Sequence, residues 1–147
     1  MSIPDTLPCW ILVAEDDGDD QRLLADAFEQ CGIRCRLDFH GDGESLLKAL
    51  SDCTPASPPR LILLDLNMPR MDGRETLQRL RADPVLAQVP VVVMSTSAAE
   101  DDCSRARRAG CDAYFVKPAE YGALLDMVGL IARRWLQLPS PAGGDVR

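Results

Sequence analysis

The chain of 147 residues holds a single histidine, His40, and its six cysteines (Cys9, Cys31, Cys35, Cys53, Cys103, Cys111) include no CxxC pair. Structural zinc sites draw on thiolate and imidazole ligands, usually in close pairs, so this pattern argues against one. In a reducing compartment the cysteines are expected to be small core or surface residues. Basic clusters are scarce too: apart from Arg105, Arg107 and Arg108 the lysines and arginines are scattered, and the formal net charge is −7. With no stripe to neutralise a phosphate backbone, direct binding of nucleic acid is not expected. The longest apolar runs, such as Leu61 to Leu64 and Val91 to Met94, fall far short of the roughly 20 residues that span a bilayer. Met1 to Cys9 has no basic start, apolar stretch or small-residue cleavage site. No secretory signal is read there, and a cytoplasmic location is expected.

What is present suits one soluble globular domain: 46% of the residues are hydrophobic and 27% charged, and the length allows one real core. Short apolar runs rich in β-branched residues alternate with stretches of helical period, the pattern of βαβ units and a parallel sheet. The spacing predicts strands at Trp10 to Ala14, Arg34 to Phe39, Leu61 to Leu64, Val91 to Met94 and Ala113 to Val116. Each is too continuously apolar for a half-exposed strand, as expected when helices cover both faces. Helical stripes are carried by Leu23, Leu24, Ala27, Phe28 and Cys31, by Leu46, Leu47 and Leu50, and by Leu77 and Leu80. A last helix is predicted over Glu120 to Leu136 on Leu124, Val128, Ile131 and Trp135. Ser51 to Arg60 carries three prolines without periodicity and reads as a surface loop. The domain is expected over residues 9–138, between mobile tails at 1–8 and 139–147 that are rich in proline, glycine and serine.

In such a sheet, ligands bind beyond the carboxyl ends of the strands. Those ends carry Glu15, Asp16 and Asp17 after the first strand, Asp65 and Asn67 after the third, Ser95 and Thr96 after the fourth, and Lys117-Pro118 after the fifth. Taken singly, each has a plain explanation: acids favour a helix start, Asp-x-Asn-x-Pro is ordinary turn chemistry, and serine or threonine satisfies backbone at a strand end. Likewise Lys117 alone is a surface lysine, Tyr114 alone a core aromatic, and His40 before Gly41-Asp42-Gly43 a loop residue. Their convergence points elsewhere. Carboxylates gathered on adjacent strands repel one another unless a cation intervenes. Mg²⁺ uses one or two carboxylates together with waters and phosphate oxygens, which matches Asp16, Asp65 and the backbone carbonyl of Asn67, with Glu15 holding a metal-bound water. One oxygen of Asp65 is then free to attack phosphorus, while Lys117 and the Ser95 hydroxyl meet the phosphate oxygens.

From Trp10 to about Leu136 the chain resembles the receiver domain of response regulators, on ILVAEDD at 11–17, LLDLNMPRMDG at 63–73, VVVMST at 91–96 and YFVKP at 114–118. The resemblance implies a flavodoxin-like, doubly wound fold with a five-stranded parallel sheet in the order 2-1-3-4-5. That order is the one known for chemotaxis receivers, and it comes from the resemblance, not from the spacing of this chain. The resemblance further implies that Asp65 is the phosphoacceptor, Glu15 and Asp16 the acidic pair, Ser95 (with Thr96 beside it) the hydroxyl switch, Lys117 the phosphate-binding lysine and Tyr114 the aromatic switch. The Lys117-Pro118 bond would be cis. More narrowly, MPRMDGRETL, Thr96, the loop before the third strand and the extended Trp-containing last helix look like the stand-alone regulators paired with bacterial and cyanobacterial phytochrome kinases. The partners implied are a sensor histidine kinase of phytochrome type and a second copy, docked through the fourth helix, fifth strand and fifth helix, with Trp135, Leu136 and Leu138 suited to that seam. Ser95 stands where threonine is commoner, Ala14 where valine is frequent, and Asp17, Asp19 and Asp20 add negative charge beside the acidic pair.

Two other classes compete. A phosphohydrolase of the haloacid dehalogenase type also forms an aspartyl phosphate, but it needs a general acid two residues after the nucleophile, and here Asn67 cannot protonate a leaving group. A receiver-like interaction module that is never phosphorylated would have lost site groups; this chain keeps them all. The expected protein is therefore a signalling phosphoacceptor and not an enzyme acting on other molecules.

Overall fold

The structure, a computed structural model, describes residues 9–51, 58–68 and 72–136. Both tails and most of the proline-rich loop lie outside the described residues. Strands β1 (Cys9–Ala14), β2 (Cys35–His40), β3 (Leu61–Asp65), β4 (Val91–Ser95) and β5 (Ala113–Val116) alternate with helices α1 (Gly18–Gln30), α2 (Gly43–Ser51), α3 (Gly73–Ala82), α4 (Glu100–Arg108) and α5 (Tyr121–Ile131). The sheet runs β2-β1-β3-β4-β5 and every pairing is parallel. The expected fold class is the observed one, with strand limits shifted by a residue at most. His40 is the last residue of β2 and not a loop residue.

Period-2 alternation decides which helix covers which side chain. Ile11, Val13, Leu61, Leu63, Val92 and Met94 point to one face, where Leu24, Ala27 and Phe28 of α1 and Met127, Val128 and Ile131 of α5 close over them. Leu12, Ala14, Ile62, Leu64 and Val91 point to the other, under Leu46 and Leu50 of α2 and Leu77 and Leu80 of α3. β3 and β4 are buried along their whole length, whereas the edge strands β2 and β5 are mostly half-buried. Each fully buried leucine or isoleucine contributes roughly 2 kcal/mol, so the three central strands hold the molecule together.

The helix ends are set locally. Asp17 caps α1 by accepting from the Asp20 N–H (3.0 Å), and Asp72 caps α3 by accepting from the Glu75 N–H (3.0 Å). α1 stops at Gly32, whose φ of 74° suits glycine. α4 is the helix that leaves no stripe in the sequence: among its nine residues only Ala106 is buried. It lies beside Leu66 and Val93.

Three further expectations need correction. Cys9 and Cys35 are not free thiols; they are joined in a disulfide, and they are register partners across β1 and β2 with Cα atoms 4.7 Å apart. Leu136 is not an exposed seam residue. The last helix continues from Ile131 as a π-helical turn over Ala132–Leu136, whose i→i+5 period swings Leu136 onto the face of Ile131. Leu136 is 3% exposed, and its carbonyl accepts from Arg60 (3.2 Å); Trp135 is half-buried on the same core, and Leu138 lies outside the described residues. The Lys117-Pro118 bond is trans, since no peptide bond among the described residues is cis. The trans form is the cheaper one by about 0.5–1 kcal/mol, and with it the Lys117 N–H still reaches the Ser95 carbonyl (2.8 Å).

Candidate functional site

Because all five strands are parallel, their carboxyl ends share one edge of the sheet, and the polar residues that follow them meet there. Asp65 ends β3 and Ser95 ends β4; Glu15 follows β1 and is tied to β2 by its N–H on the His40 carbonyl (2.8 Å). Lys117 follows β5. Its Nζ donates to Glu15 Oε1 (2.7 Å), Asp65 Oδ2 (3.0 Å) and Asp20 Oδ2 (3.4 Å). Glu15 and Asp65 are 2% and 4% exposed, unusual values for carboxylates. Carboxylate oxygens of Glu15, Asp16 and Asp65 all lie within 4.8 Å of one another, with Asp16 on the open side.

Burial raises the Glu15 pKa above the ordinary glutamate value; the Lys117 hydrogen bond and the Asp17 N–H on Oε2 (3.1 Å) oppose it without cancelling it, and the Asp65 charge adds to the rise. Burial works against the Lys117 charge as well, but hydrogen bonds to Glu15 and Asp65 outweigh it and raise the lysine pKa. The ammonium therefore stays charged throughout the range in which proteins are folded. One cation faces several acids, so the cup is short of positive charge.

The loops complete the site. Asp65 Oδ1 accepts from the Asn67 N–H (3.0 Å), which fixes the carboxylate plane. Gly73 packs so close that a Cβ there would run into the Asp65 carbonyl oxygen and sit 2.6 Å from the Leu66 Cα. No larger residue fits while β3 ends where it does. After β4, Ser95 Oγ accepts from the Ser97 N–H (3.1 Å), and Tyr114 donates its hydroxyl to the Ser97 carbonyl (2.8 Å) with its ring against Leu66, Val93 and Ala106. Thr96 is exposed; the contacts of this loop run through Ser97 instead.

An acidic pocket with two buried carboxylates, one open carboxylate and a lysine fits a hard divalent cation together with an anionic group. The family model of the response regulator receiver domain matches residues 11–129. The chain belongs to the response regulator receiver family. Among curated relatives of this family, Rcp1 of Synechocystis sp. is 34% identical over 140 residues, covering 93% of this chain and 95% of that protein. The probable methanogenesis regulatory protein FilR2 of Methanothrix harundinacea is 35% identical over 140 residues, covering 92% and 90%. Among solved receivers, the phosphorylated cyanobacterial phytochrome response regulator RcpA superposes with a TM-score of 0.80 at 35% identity (90% of this chain, 98% of that one). The Mn²⁺-bound form of Rcp1 gives 0.78 at 36% identity (91% and 99%).

The structure brings Glu15, Asp16, Asp65 and Lys117 of this receiver to one place, with Asn67 joined through its N–H; Ser95 ends the neighbouring strand, its carbonyl accepting from the Lys117 N–H and its hydroxyl oxygen from the Ser97 N–H. Strand ends alone do not reveal three further contributors. Asp20 is more than extra negative charge, since it is a third partner of Lys117. Gln21 donates Nε2 to the Glu15 carbonyl (2.7 Å), a link from α1 back to the end of β1 that no motif announces. Asp102, on α4, lies outside the cup and bears on it only through the loop after β4, accepting from the Ser97 hydroxyl (2.5 Å).

Proposed function

We propose that this receiver is a single-domain response regulator of a two-component phosphorelay, in which Asp65 accepts a phosphoryl group from a sensor histidine kinase in the presence of Mg²⁺. The observation that supports it most directly is a buried carboxylate with Lys117 Nζ 3.0 Å away and two further acids within 4.8 Å. An Asp65 oxygen attacks phosphorus as the P–N bond to the kinase imidazole breaks; the bonding pair returns to the imidazole, and an acyl phosphate forms. Glu15, Asp16, Asp65 and the Asn67 carbonyl would hold the Mg²⁺, which when bound supplies charge neutralisation to the transferring group. Lys117 is placed to leave Asp20 and Glu15 for a phosphate oxygen, and the Ser95 hydroxyl, an acceptor toward Ser97, keeps its proton to donate to another. The group is taken onto the protein's own side chain, so the chain acts as a signalling protein and catalyses at most its own phosphorylation and dephosphorylation.

Thr96 and Tyr114 belong to the switch by position, after β4 and on β5. Tyr114 already rests on Ser97 in this structure, so phosphorylation would act on the loop that Tyr114 holds. The phytochrome type of the kinase rests on the likeness to RcpA, and a cytoplasmic location rests on the receiver family, a setting in which the Cys9–Cys35 disulfide is an exception to the usual reduced state. A homodimer through α4, β5 and α5 suits the half-exposed β5, with Val116 45% exposed, and the exposed Leu130 of α5. No described helix is long and apolar enough to cross a membrane.

The test is incubation with acetyl phosphate and Mg²⁺, followed by intact-mass measurement. The expected product carries one phosphoryl group, survives acid, is released by hydroxylamine and is absent from Asp65→Asn. A clean negative on folded protein would favour an interaction module that is never phosphorylated.

A further inference from the structure

Besides Tyr114, the loop between β4 and α4 is held by side chains that belong neither to the acidic cup nor to the core. α4 begins without a cap of its own, since Ala99 offers no side-chain acceptor. Ser97 supplies one from outside the helix: its Oγ accepts from the Ala99 N–H (3.2 Å) and donates to Asp102 Oδ2 (2.5 Å) in the first turn of α4. The other oxygen, Asp102 Oδ1, accepts from Arg74 Nη2 (3.4 Å). Arg74 lies in the first turn of α3, directly after the Gly73 that packs on the Asp65 carbonyl. A chain of contacts therefore runs from the end of β3, through Arg74, Asp102 and Ser97, to the Ser95 hydroxyl at the end of β4, because the Ser97 N–H donates to Ser95 Oγ (3.1 Å).

We propose that Arg74, Asp102 and Ser97 form a clamp that sets the resting position of this loop and thereby restrains the Ser95 hydroxyl from moving toward Asp65. The inference rests on Asp65 being the phosphoacceptor. All three are positioning residues: they touch neither Glu15, Asp16 and Asp65 nor the transferred group. For Ser95 Oγ to approach Asp65 it must leave the Ser97 N–H or drag Ser97 with it, and Ser97 is held by Asp102 through its hydroxyl and by Tyr114 through its carbonyl. The Ser97 to Asp102 link is a short charge-assisted hydrogen bond, the stronger class. The Ser97 hydroxyl holds the Asp102 carboxyl below the usual aspartate range, with Arg74 adding to the effect, so the acceptor stays ionised at neutral pH. The Arg74 to Asp102 pair is longer and partly exposed, hence weaker and screened by salt.

The variants that test this are Asp102→Asn, which keeps shape and removes charge, Ser97→Ala, which cuts the link, and Ser97→Thr, which restores the hydroxyl. Loss of one partly exposed charge-assisted bond should speed phosphoryl uptake from acetyl phosphate about threefold to tenfold in Asp102→Asn and Ser97→Ala, by shifting the loop population. Ser97→Thr should behave as the parent does. The apparent affinity for Mg²⁺ should not move in any of them, because the acids of the cup are untouched, whereas a general loosening of the fold would weaken both. Unchanged uptake in both cut variants, with the parent chain taking up phosphoryl normally, would overturn the clamp. If the parent takes up none, the phosphoacceptor reading has failed; amide exchange then judges the clamp alone. Faster exchange at the Ser97 and Ala99 N–H groups of unphosphorylated Asp102→Asn supports it, and unchanged exchange overturns it.

Discussion

The two edges of the same sheet carry charge in opposite ways. At the amino ends of the strands Arg81 uses its guanidinium to satisfy backbone: Nε donates to the Gly110 carbonyl, Nη1 to the Ala87 and Val89 carbonyls (2.9 Å each), and Nη2 to Asp112 (3.0 Å). Asp112 in turn accepts from the Val91 N–H at the start of β4 (2.8 Å). Gly110, at φ 108°, leaves room for this arginine, whose Cγ would lie 2.9 Å from a Cβ there. Nearby, Arg60 reaches the Leu136 carbonyl, and the Cys9 to Cys35 disulfide joins the first residues of β1 and β2. At the carboxyl ends, by contrast, one lysine faces Glu15, Asp20 and Asp65, with Asp16 beside them and unmatched by it. An arginine spent on carbonyls and on one paired carboxylate holds the fold together. An edge left short of cations can bind one and can respond to added phosphate.

This contrast can be broken at either edge. The largest effect is expected from Gly73→Ala, where the new Cβ meets backbone at Asp65 and Leu66: a loss of about 3 kcal/mol or more in a denaturant melt, with phosphoryl uptake failing alongside. Arg81→Ala should cost about 2 to 3 kcal/mol, because several carbonyls lose a charged donor at once. Uptake measured on the folded fraction should stay at the parent rate, and a parallel fall in uptake would show that the two edges are not separate. Lys117→Met should cost about 3 kcal/mol without Mg²⁺, because Glu15 and Asp65 are left buried with no counter-charge, and it differs from Arg81→Ala in its effect on the chemistry. Phosphoryl uptake should fall about a hundredfold with the loss of one charged donor to the transferring group.

The smaller effects sharpen the contrast. Glu15 has a folded pKa raised above 4.5, so its contribution to stability is complete below pH 4.5 and is lost as the pH rises through the raised value. Mg²⁺ should restore it by pairing with the ionised form, raising Tm by about 4 °C at about pH 7.5. That increment should fade as the pH falls toward 4.5, beginning at a higher pH than an ordinary glutamate would give. A Tm increment independent of pH would break the link to Glu15. Burial raises the thiol pKa of Cys31, which ends α1 near the quiet edge, with Asp126 adding to the rise, and burial also raises that of Cys111, which precedes β5. Both should alkylate with iodoacetamide several-fold more slowly than a free thiol at about pH 7.5, as read by mass spectrometry.

Legibility followed the physics of each feature. Strands and the acidic cup are readable because buried parallel strands are continuous apolar runs, and because the residue after each run must emerge at one edge. α4 is not: a helix that buries only Ala106 leaves no apolar stripe. The clamp is hidden for a related reason, since Arg74 and Asp102 stand 28 positions apart on helices whose charges look like any solvated face. Leu136 escapes a regular helical period because the turn that carries it widens. The Cys9 to Cys35 pairing escapes composition because it depends on register, which sets the two residues opposite each other.

By itself, the order of apolar runs determined the parallel strands and which polar residues follow them at one edge, because those depend on local periodicity and on chain direction, and the motifs at 11–17, 63–73, 91–96 and 114–118 pointed to the family. Only the tertiary structure decided how the cup's charges are shared, which loop contacts restrain Ser95 and what closes the opposite edge. Such contacts depend on distances between side chains far apart in the chain, which packing sets and periodicity does not encode.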